Sequence, residues 1–498
     1  MNTWDAIVVG GGHNGLAAAA SLARTGRKVV VVEARDHLGG LCAGEEFHPG
    51  YRHVGLHHDA DTVRPWVIDA LNLGAHGLAL RDRPPLFLPA APGETPGSGL
   101  LVAADPAAAK AELAIVGDAD GYAAWRGFID SVRPIVGALI DVPAPRLGQD
   151  APLMPLLDQA FRLRRRGADA LLELARVAVM SADDWVGESI GHERLRAGLI
   201  LPALIGSWLG PRSPQSAGIV LLRELTAGRD VVGGPAKLVD ALAAACRSLG
   251  VELRCSAAVQ RIRVHRGVVQ GVVLRDGEAL DAPIVVSALD PRRTLLDLVP
   301  AGELPVPTED EVRAIRVRAT SAKLHLALSR APQFTCREGA FERIAVVTSP
   351  NGIERAFDDA KHGRLPGDPP LAIRVPTVAD PSLAPAGHHV LSAHVFGVPY
   401  APAGGWAAGA REQLLDAVLK VLARVDPGIG GAVVAAELLV PPELEARYGV
   451  TGGHLMHAEH ALDQLWVGRP SRTLSGHTTP IKGLYLGSAG THPFGGPS

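Results

Sequence analysis

Three short stretches of the chain bring together residue types that can do chemistry. The first is Gly10-Gly11-Gly12-His13-Asn14-Gly15, followed by an acid, Glu33, at the end of the next apolar run. Gly10 permits a tight turn, Gly12 keeps a Cβ out of the way of a pyrophosphate, and Gly15 allows a helix to pack close to a strand. Glu33 can accept from a ribose 2′-hydroxyl, whereas an arginine there would favour a 2′-phosphate. The second stretch is His53-Val54-Gly55-Leu56-His57-His58-Asp59-Ala60-Asp61. Its spacing matches no standard metal motif, so His57, His58 and Asp59 are read as proton-transfer candidates lining a pocket. The third is Thr451-Gly452-Gly453-His454-Leu455-Met456-His457-Ala458-Glu459-His460. No further ligand motif supports a metal there either, and none is expected.

The elements around the first stretch fit its chemistry. Asp5–Val9 reads as a strand, Leu16–Arg24 as an Ala-rich helix broken at Gly26, and Lys28–Val32 as a second strand. Strand, glycine turn, helix, strand and acid make a dinucleotide-binding unit, with phosphates at the positive helix N-terminus. After Glu33 the chain runs Ala34-Arg35-Asp36-His37-Leu38-Gly39-Gly40, where a second glycine pair lets backbone approach a ligand again.

Residues 62–225 lack a strong strand pattern. Helical spacing runs through Trp66–Leu73, Pro106–Ile115, Gly121–Leu139, Pro152–Trp185 and Arg194–Trp208, and Asp105 before Pro106 is a natural N-cap. This reads as a helical cap with a minority of its apolar residues lining a substrate channel. A helix from Gly233 to Leu249 follows, then strands Val251–Cys255, Ala258–Val264 and Val268–Leu274, and the buried run Ile284-Val285-Val286. Ala322–Leu328 alternates apolar and polar residues, as a sheet with one wet face does. Val390–Phe396 reads as a strand and Ala407–Val425 as an amphipathic helix.

Composition narrows the function classes. With 498 residues the chain can hold two or three modules; its net charge of −3 and 4% aromatics argue against nucleic-acid binding. The basic run Arg162-Leu163-Arg164-Arg165-Arg166 reads as a solvated helix face. Cys42, Cys246, Cys255 and Cys336 form no Cys-x-x-Cys pair, so a dithiol redox site is not expected and the compartment is read as reducing and cytoplasmic. No signal peptide or uninterrupted apolar span of membrane length is visible; a peripheral membrane contact and a homo-oligomer stay open.

Four stretches carry a resemblance: Glu33-Ala34-x-x-x-x-Gly39-Gly40; Ser287-Ala288-Leu289-Asp290-Pro291; Gly452-Gly453-His454-x-x-His457-x-Glu459 running on to Leu462-Asp463-Gln464-Leu465; and Gly483-Leu484-Tyr485-Leu486-Gly487-Ser488-Ala489-Gly490-Thr491-His492-Pro493. Together they resemble the FAD-dependent amine oxidase and phytoene desaturase-like flavoproteins, on the branch of the pyridine nucleotide-disulphide oxidoreductase domain proteins. The paired cysteines that the "disulphide" would need are absent. Phe494 stands where the family has a glycine, and members continue past this motif into a helix facing the flavin. The chain given stops at Ser498, so either a tail follows or the flavin edge is built differently.

The resemblance implies an α/β fold: a Rossmann-type, glutathione-reductase-like FAD-binding domain, a discontinuous α+β substrate domain and a helical cap. The expected division is 1–60, 226–300 and 465–498 for FAD, 61–225 for the cap, and 301–464 for the substrate sheet and its helices. It places FAD against Gly10, Gly12, His13, Asn14, Gly15, Glu33, Ala34, Arg35, Gly39, Gly40, Leu41, Val259, Ser287, Gly487 and Gly490. The implied activity is dehydrogenation of a largely apolar small molecule by hydride transfer to flavin N5, with oxygen or a quinone as the open choices of electron acceptor. A double-bond isomerase and a catalytically silent FAD-binding scaffold are the alternatives. His454, His457 and Glu459, then His57 and His58, are the proton-transfer candidates.

Overall fold

The computed structural model describes residues 3–90, 98–142, 144, 168–318, 321–407 and 409–492. The basic run at 162–166, Pro152 and the rest of 145–167, and Phe494 lie outside the described residues.

A five-stranded parallel sheet gathers strands from three distant parts of the chain. Its order is Leu484–Leu486, Val285–Ser287, Ala6–Val9, Val29–Val32 and Glu252–Arg254. The inner strands are runs of Val and Ile buried on both faces, as a sheet covered on two sides requires. Helix His13–Ala23 covers one face and packs Leu16, Ala19 and Ala20 against Leu238, Leu242 and Ala245 of helix Pro235–Ser248. An antiparallel sheet, Val259–His265, Val268–Leu274 and Ala279–Asp281, covers the opposite side.

The second large sheet has seven strands, in the order Val433–Leu439, Ser321–Leu328, His389–Phe396, Leu371–Arg374, Arg343–Val346, Leu86–Leu88 and Leu100–Val102. Leu86–Leu88 and Leu100–Val102 fall in the stretch whose sequence reads as helical. Three residues each is too short for a period to show; Leu100–Val102 pairs with Leu86–Leu88, whose other neighbour, Arg343–Val346, is over 200 residues away in sequence. Helices do fill most of that stretch, and Asp105 caps helix Pro106–Leu113 by accepting from the Ala108 N–H at 2.8 Å. Trp125, Trp185 and Phe128 anchor the helical layer.

The alternation in Ser321–Leu328 has a different cause from the expected one. Every residue of this strand is buried. Leu324, Leu326 and Leu328 meet Leu414, Val418 and Val421 of helix Ala410–Val425 on one face. Lys323 and His325 point to the other face, which carries His394 opposite Lys323 and Glu437 opposite His325. That polar face is covered by the hairpin Glu45–His48, Tyr51–His53 and the loop after it instead of by water.

Gly15 sets the closeness of helix and sheet. A Cβ there would lie 2.0 Å from the Gly10 carbonyl oxygen and 3.1 Å from the Ala288 Cβ. Gly127, in helix Ala119–Ile140, has nothing within 4 Å of its ideal Cβ position. Gly15→Ala is therefore expected to cost at least about 3 kcal/mol, whereas Gly127→Ala gains up to about 1 kcal/mol; thermal unfolding of the two variants side by side checks the contrast.

Candidate active site

The glycine turn, Glu33 and the second glycine pair form one cradle. The Glu33 carboxylate accepts from the Gly11 N–H at 2.7 Å and the Arg35 N–H at 2.9 Å. Those two bonds fix its orientation and leave lone pairs on both oxygens for a further donor. Gly39 donates to the Gly11 carbonyl at 2.8 Å, and a Cβ on Gly12 would stand 4.0 Å from the Gly39 oxygen and the Gly40 Cα. Helix His13–Ala23 starts at Gly12 with no side-chain cap, so its positive end is open to an anion, and Asn14 lies in its first turn. Arg35 pairs with Glu45 at 2.9 Å and stacks on Tyr448, while Ala34 is exposed.

The later motif residues reach this cradle to different degrees. Ser287 lies beside Val9 at the C-terminal end of its strand, but its hydroxyl is bonded to Thr294 at 2.7 Å. The Gly487 N–H donates to the Ser287 carbonyl at 2.8 Å. Val259 stands in the antiparallel sheet, two residues past Ala257, whose N–H donates to the Glu33 carbonyl at 2.8 Å. Gly490 packs on His457: a Cβ there would lie 3.0 Å from the His457 carbonyl oxygen and 2.6 Å from the Pro291 ring.

Loop and cradle are tied by Leu41, whose carbonyl accepts from the Leu56 N–H at 2.8 Å and the His57 N–H at 3.2 Å. The His57 Nε2 donates to the Leu455 carbonyl at 3.1 Å, joining the second and third stretches. A carbonyl only accepts, so this bond assigns the proton to Nε2 and the lone pair to Nδ1. Burial, then the nearby His457, push His57 down to about 4. His58 lies deeper, with Nδ1 3.0 Å from Lys323 Nζ and its ring edge-on to His394 at 4.3 Å. Burial, then Lys323, hold His58 well below the usual histidine range. Lys323 is itself wholly buried, and burial lowers its ammonium well below the ordinary lysine value. Burial takes His13, whose Nδ1 is 3.3 Å from the Cys42 sulfur, to about 3, and pushes the Cys42 thiol up to about 12.

His57 and His58 line a cavity walled by Leu86, Ile205, Ile219, Leu222, Ile344 and Ile373 from the cap and the large sheet. His394, His460 and His492 line it too, beside Met456. His454 and His457 do not line it. His454 Nδ1 accepts from the Met456 N–H at 3.2 Å, and among the described residues His457 Nδ1 has no hydrogen-bond partner. Glu459 does not join the histidines. Its carboxylate accepts from Arg318 at 2.8 and 3.0 Å, from the Arg318 N–H at 2.8 Å and from Arg316 at 3.4 Å. Glu459 therefore has the geometry of a structural anion, not of a base. Behind it the buried Arg469 donates to the carbonyls of Met456, Ala458, Glu459, Gln464 and Ala489, fastening the third stretch to the terminal motif.

His53 turns away from the cavity. Its ring stacks on His325 at 4.1 Å, 11° from parallel, and their donor atoms and those of Glu437 lie within 4.8 Å of one another. Stacked rings hold their in-plane lone pairs side by side, so the trio does not converge on a single point as a metal requires.

A chain of charges borders the cavity. Asp59 meets Arg374 at 2.7 Å and Arg223 at 3.5 Å; Asp61 meets Arg223 at 3.0 Å and Arg83 at 2.8 Å. Glu224 meets Arg126 at 2.7 Å and Arg83 at 3.9 Å. Asp230 and Glu342 share Arg374 and Arg81. Each of these five carboxylates thus meets two of five arginines. Burial pushes Asp59 up, but Arg374 and its other cationic neighbours outweigh it and hold the carboxyl well below the usual range. Lys323, His394 and Arg374 escape motif reading; the one signal is a basic residue inside an otherwise aliphatic strand.

The comparisons agree with this construction. A family model described as "Flavin containing amine oxidoreductase" matches residues 119–493, and one described as "NAD(P)-binding Rossmann-like domain" matches residues 8–65. The chain belongs to the flavin containing amine oxidoreductase family, and FAD is its cofactor. It is 31% identical to mouse pyridine nucleotide-disulfide oxidoreductase domain-containing protein 2 over 99% of this chain and 91% of that one. It is 29% identical to the phytoene dehydrogenase of Streptomyces griseus, over 98% and 91%. A crystal structure of an oxidoreductase from Methanosarcina mazei superposes with a TM-score of 0.58 at 17% identity, covering 98% of this chain and 94% of that one. The open helix end, the spare lone pairs of Glu33 and the space at Gly12 fit the pyrophosphate and ribose of FAD. Among the described residues no helix is long and apolar enough to cross a membrane.

Six histidines, His53, His57, His58, His325, His394 and His454, are buried, and burial lowers each of them below the usual 6.5. A depressed folded value stabilises the fold above the unfolded pKa. That stability is lost as pH falls, because only the unfolded chain takes up the protons. Thermal unfolding is expected to drop by on the order of 5 °C between pH 7 and pH 5. Replacing His325 with Gln should shrink the drop.

Proposed function

We propose that this FAD-dependent oxidoreductase dehydrogenates a largely apolar small molecule held in the cavity beside His57. One observation carries the reading: a cavity with aliphatic walls from cap and sheet ends at a histidine bonded to both the flavin cradle and the third stretch. The phytoene dehydrogenase relative, whose name gives a hydrocarbon substrate, supports an apolar ligand.

When bound, FAD supplies a two-electron acceptor. Gly10 to Gly15 and Glu33 hold its pyrophosphate and ribose, and Gly39 and Gly40 leave room for it. The chain itself supplies binding, exclusion of water and a place for a proton. The aliphatic walls desolvate the substrate and position it. His57, neutral and with its Nδ1 lone pair uncommitted to the Leu455 carbonyl, takes the proton that a dehydrogenation releases. His58 is held by Lys323 Nζ at 3.0 Å, which fixes its ring.

An anaerobic screen of terpenes, fatty acids and amines, read by bleaching of the flavin, tests the proposal. His57→Ala is expected to slow bleaching by the best substrate by at least about 100-fold while FAD content stays unchanged. An unslowed His57→Ala overturns the assignment of the base, and a flavin that none of the compounds bleaches overturns the dehydrogenation.

A further inference from the structure

Arg343 stands outside the pairing of acids and arginines. It opens strand Arg343–Val346 directly across from Arg374 and beside Leu86. Two guanidinium groups facing each other across a sheet repel unless acids lie between them. Arg374 holds three carboxylates, from Asp59, Asp230 and Glu342. Among the described residues the Arg343 side chain makes neither an ion pair nor a hydrogen bond. Asp59 and Asp61 act on it only through space, and each already holds two arginines. Burial pushes its guanidinium down to about 10, which still leaves it charged at neutral pH.

Its position gives that spare charge a use. Arg343 lines the aliphatic cavity and also a second cleft that reaches Lys110 and Tyr122, and Leu86 and Pro202 line both. The other arginines lining the cavity are engaged, Arg64 with Asp141 at 2.8 Å and Arg223 with Asp61. A partly buried cation with no protein partner is costly unless a ligand brings the counter-charge. A guanidinium fork matches one carboxylate, and a diphosphate would need a second uncommitted cation.

We propose that the substrate is an amphipathic monoanion, with an apolar chain in the cavity and a terminal carboxylate on Arg343. The proposal rests on the reading of this cavity as the substrate site and names the substrate's class.

Equilibrium dialysis of the FAD-loaded protein against decanoate and decanol tests it without turnover. The unaltered protein is expected to hold decanoate at least about tenfold tighter than decanol. Arg343→Met should abolish that preference while decanol binding stays within about threefold. Arg343→Lys, a point charge without the fork, should retain only part of it. Equal binding of the two probes by the unaltered protein overturns the proposal, as does a preference that survives Arg343→Met. If Arg343→Met fails to accumulate, the ratio in the unaltered protein decides alone. A protein that prefers decanoate through Arg343 yet shows no flavin bleaching with any compound separates failure of the dehydrogenation from failure of this inference.

Discussion

A buried charge without a partner is costly, and that cost shapes the space between the large sheet and the helical cap. Asp59 and Asp61 enter it from the loop after the first hairpin, Glu224 from a cap helix, Asp230 from the short strand Asp230–Val231, and Glu342 from the residue before strand Arg343–Val346. The five arginines they meet come from four separate parts of the chain, 81–83, 126, 223 and 374. Removing one partner leaves a buried charge uncompensated, so the loop, the cap and the sheet are held in a single arrangement. The aliphatic cavity lies inside that frame, with His57 and His58 carried on the same loop as Asp59 and Asp61.

A second set of bonds brings the nucleotide half to the same place. Leu41 binds the loop through two N–H groups, and His57 binds the third stretch through Leu455. Asp290, next to the turn after Ser287, accepts from the Thr451 N–H at 3.2 Å and its hydroxyl at 2.9 Å. Arg469 fastens the same stretch to Ala489 at 2.8 Å. Residues far apart in sequence thus meet through backbone groups at Leu41 and through the side chains of His57, Asp290 and Arg469 elsewhere.

The nucleotide-binding unit was legible because its signals are local: short continuous apolar runs, glycines where a Cβ does not fit, and an acid at the strand end. The cap on Pro106–Leu113 was equally local. The substrate half was harder to read. Leu86–Leu88 carries no period of its own and becomes a strand only against Arg343–Val346. Lys323 and His325 alternate with leucines as a half-wet strand would, and only the hairpin laid over them makes their face dry. Glu459 reads from its polar motif as a proton-transfer candidate, but Arg316 and Arg318, more than 140 residues earlier, claim its carboxylate. Long-range pairing decides each of these cases, and no window of sequence contains it.

The central claim is that an apolar ligand occupies the cavity while FAD occupies the glycine cradle, so the two sites can be separated by blocking one. Ala203 lines the cavity and lies outside the cradle. The direct measurement is a difference absorption spectrum of the FAD-loaded protein titrated with decanol, for the unaltered chain and for Ala203→Trp. The account predicts a saturable shift of the flavin bands in the unaltered protein, lost in Ala203→Trp at full FAD content. An equal shift in both proteins, or loss of FAD from Ala203→Trp together with the shift, would contradict it.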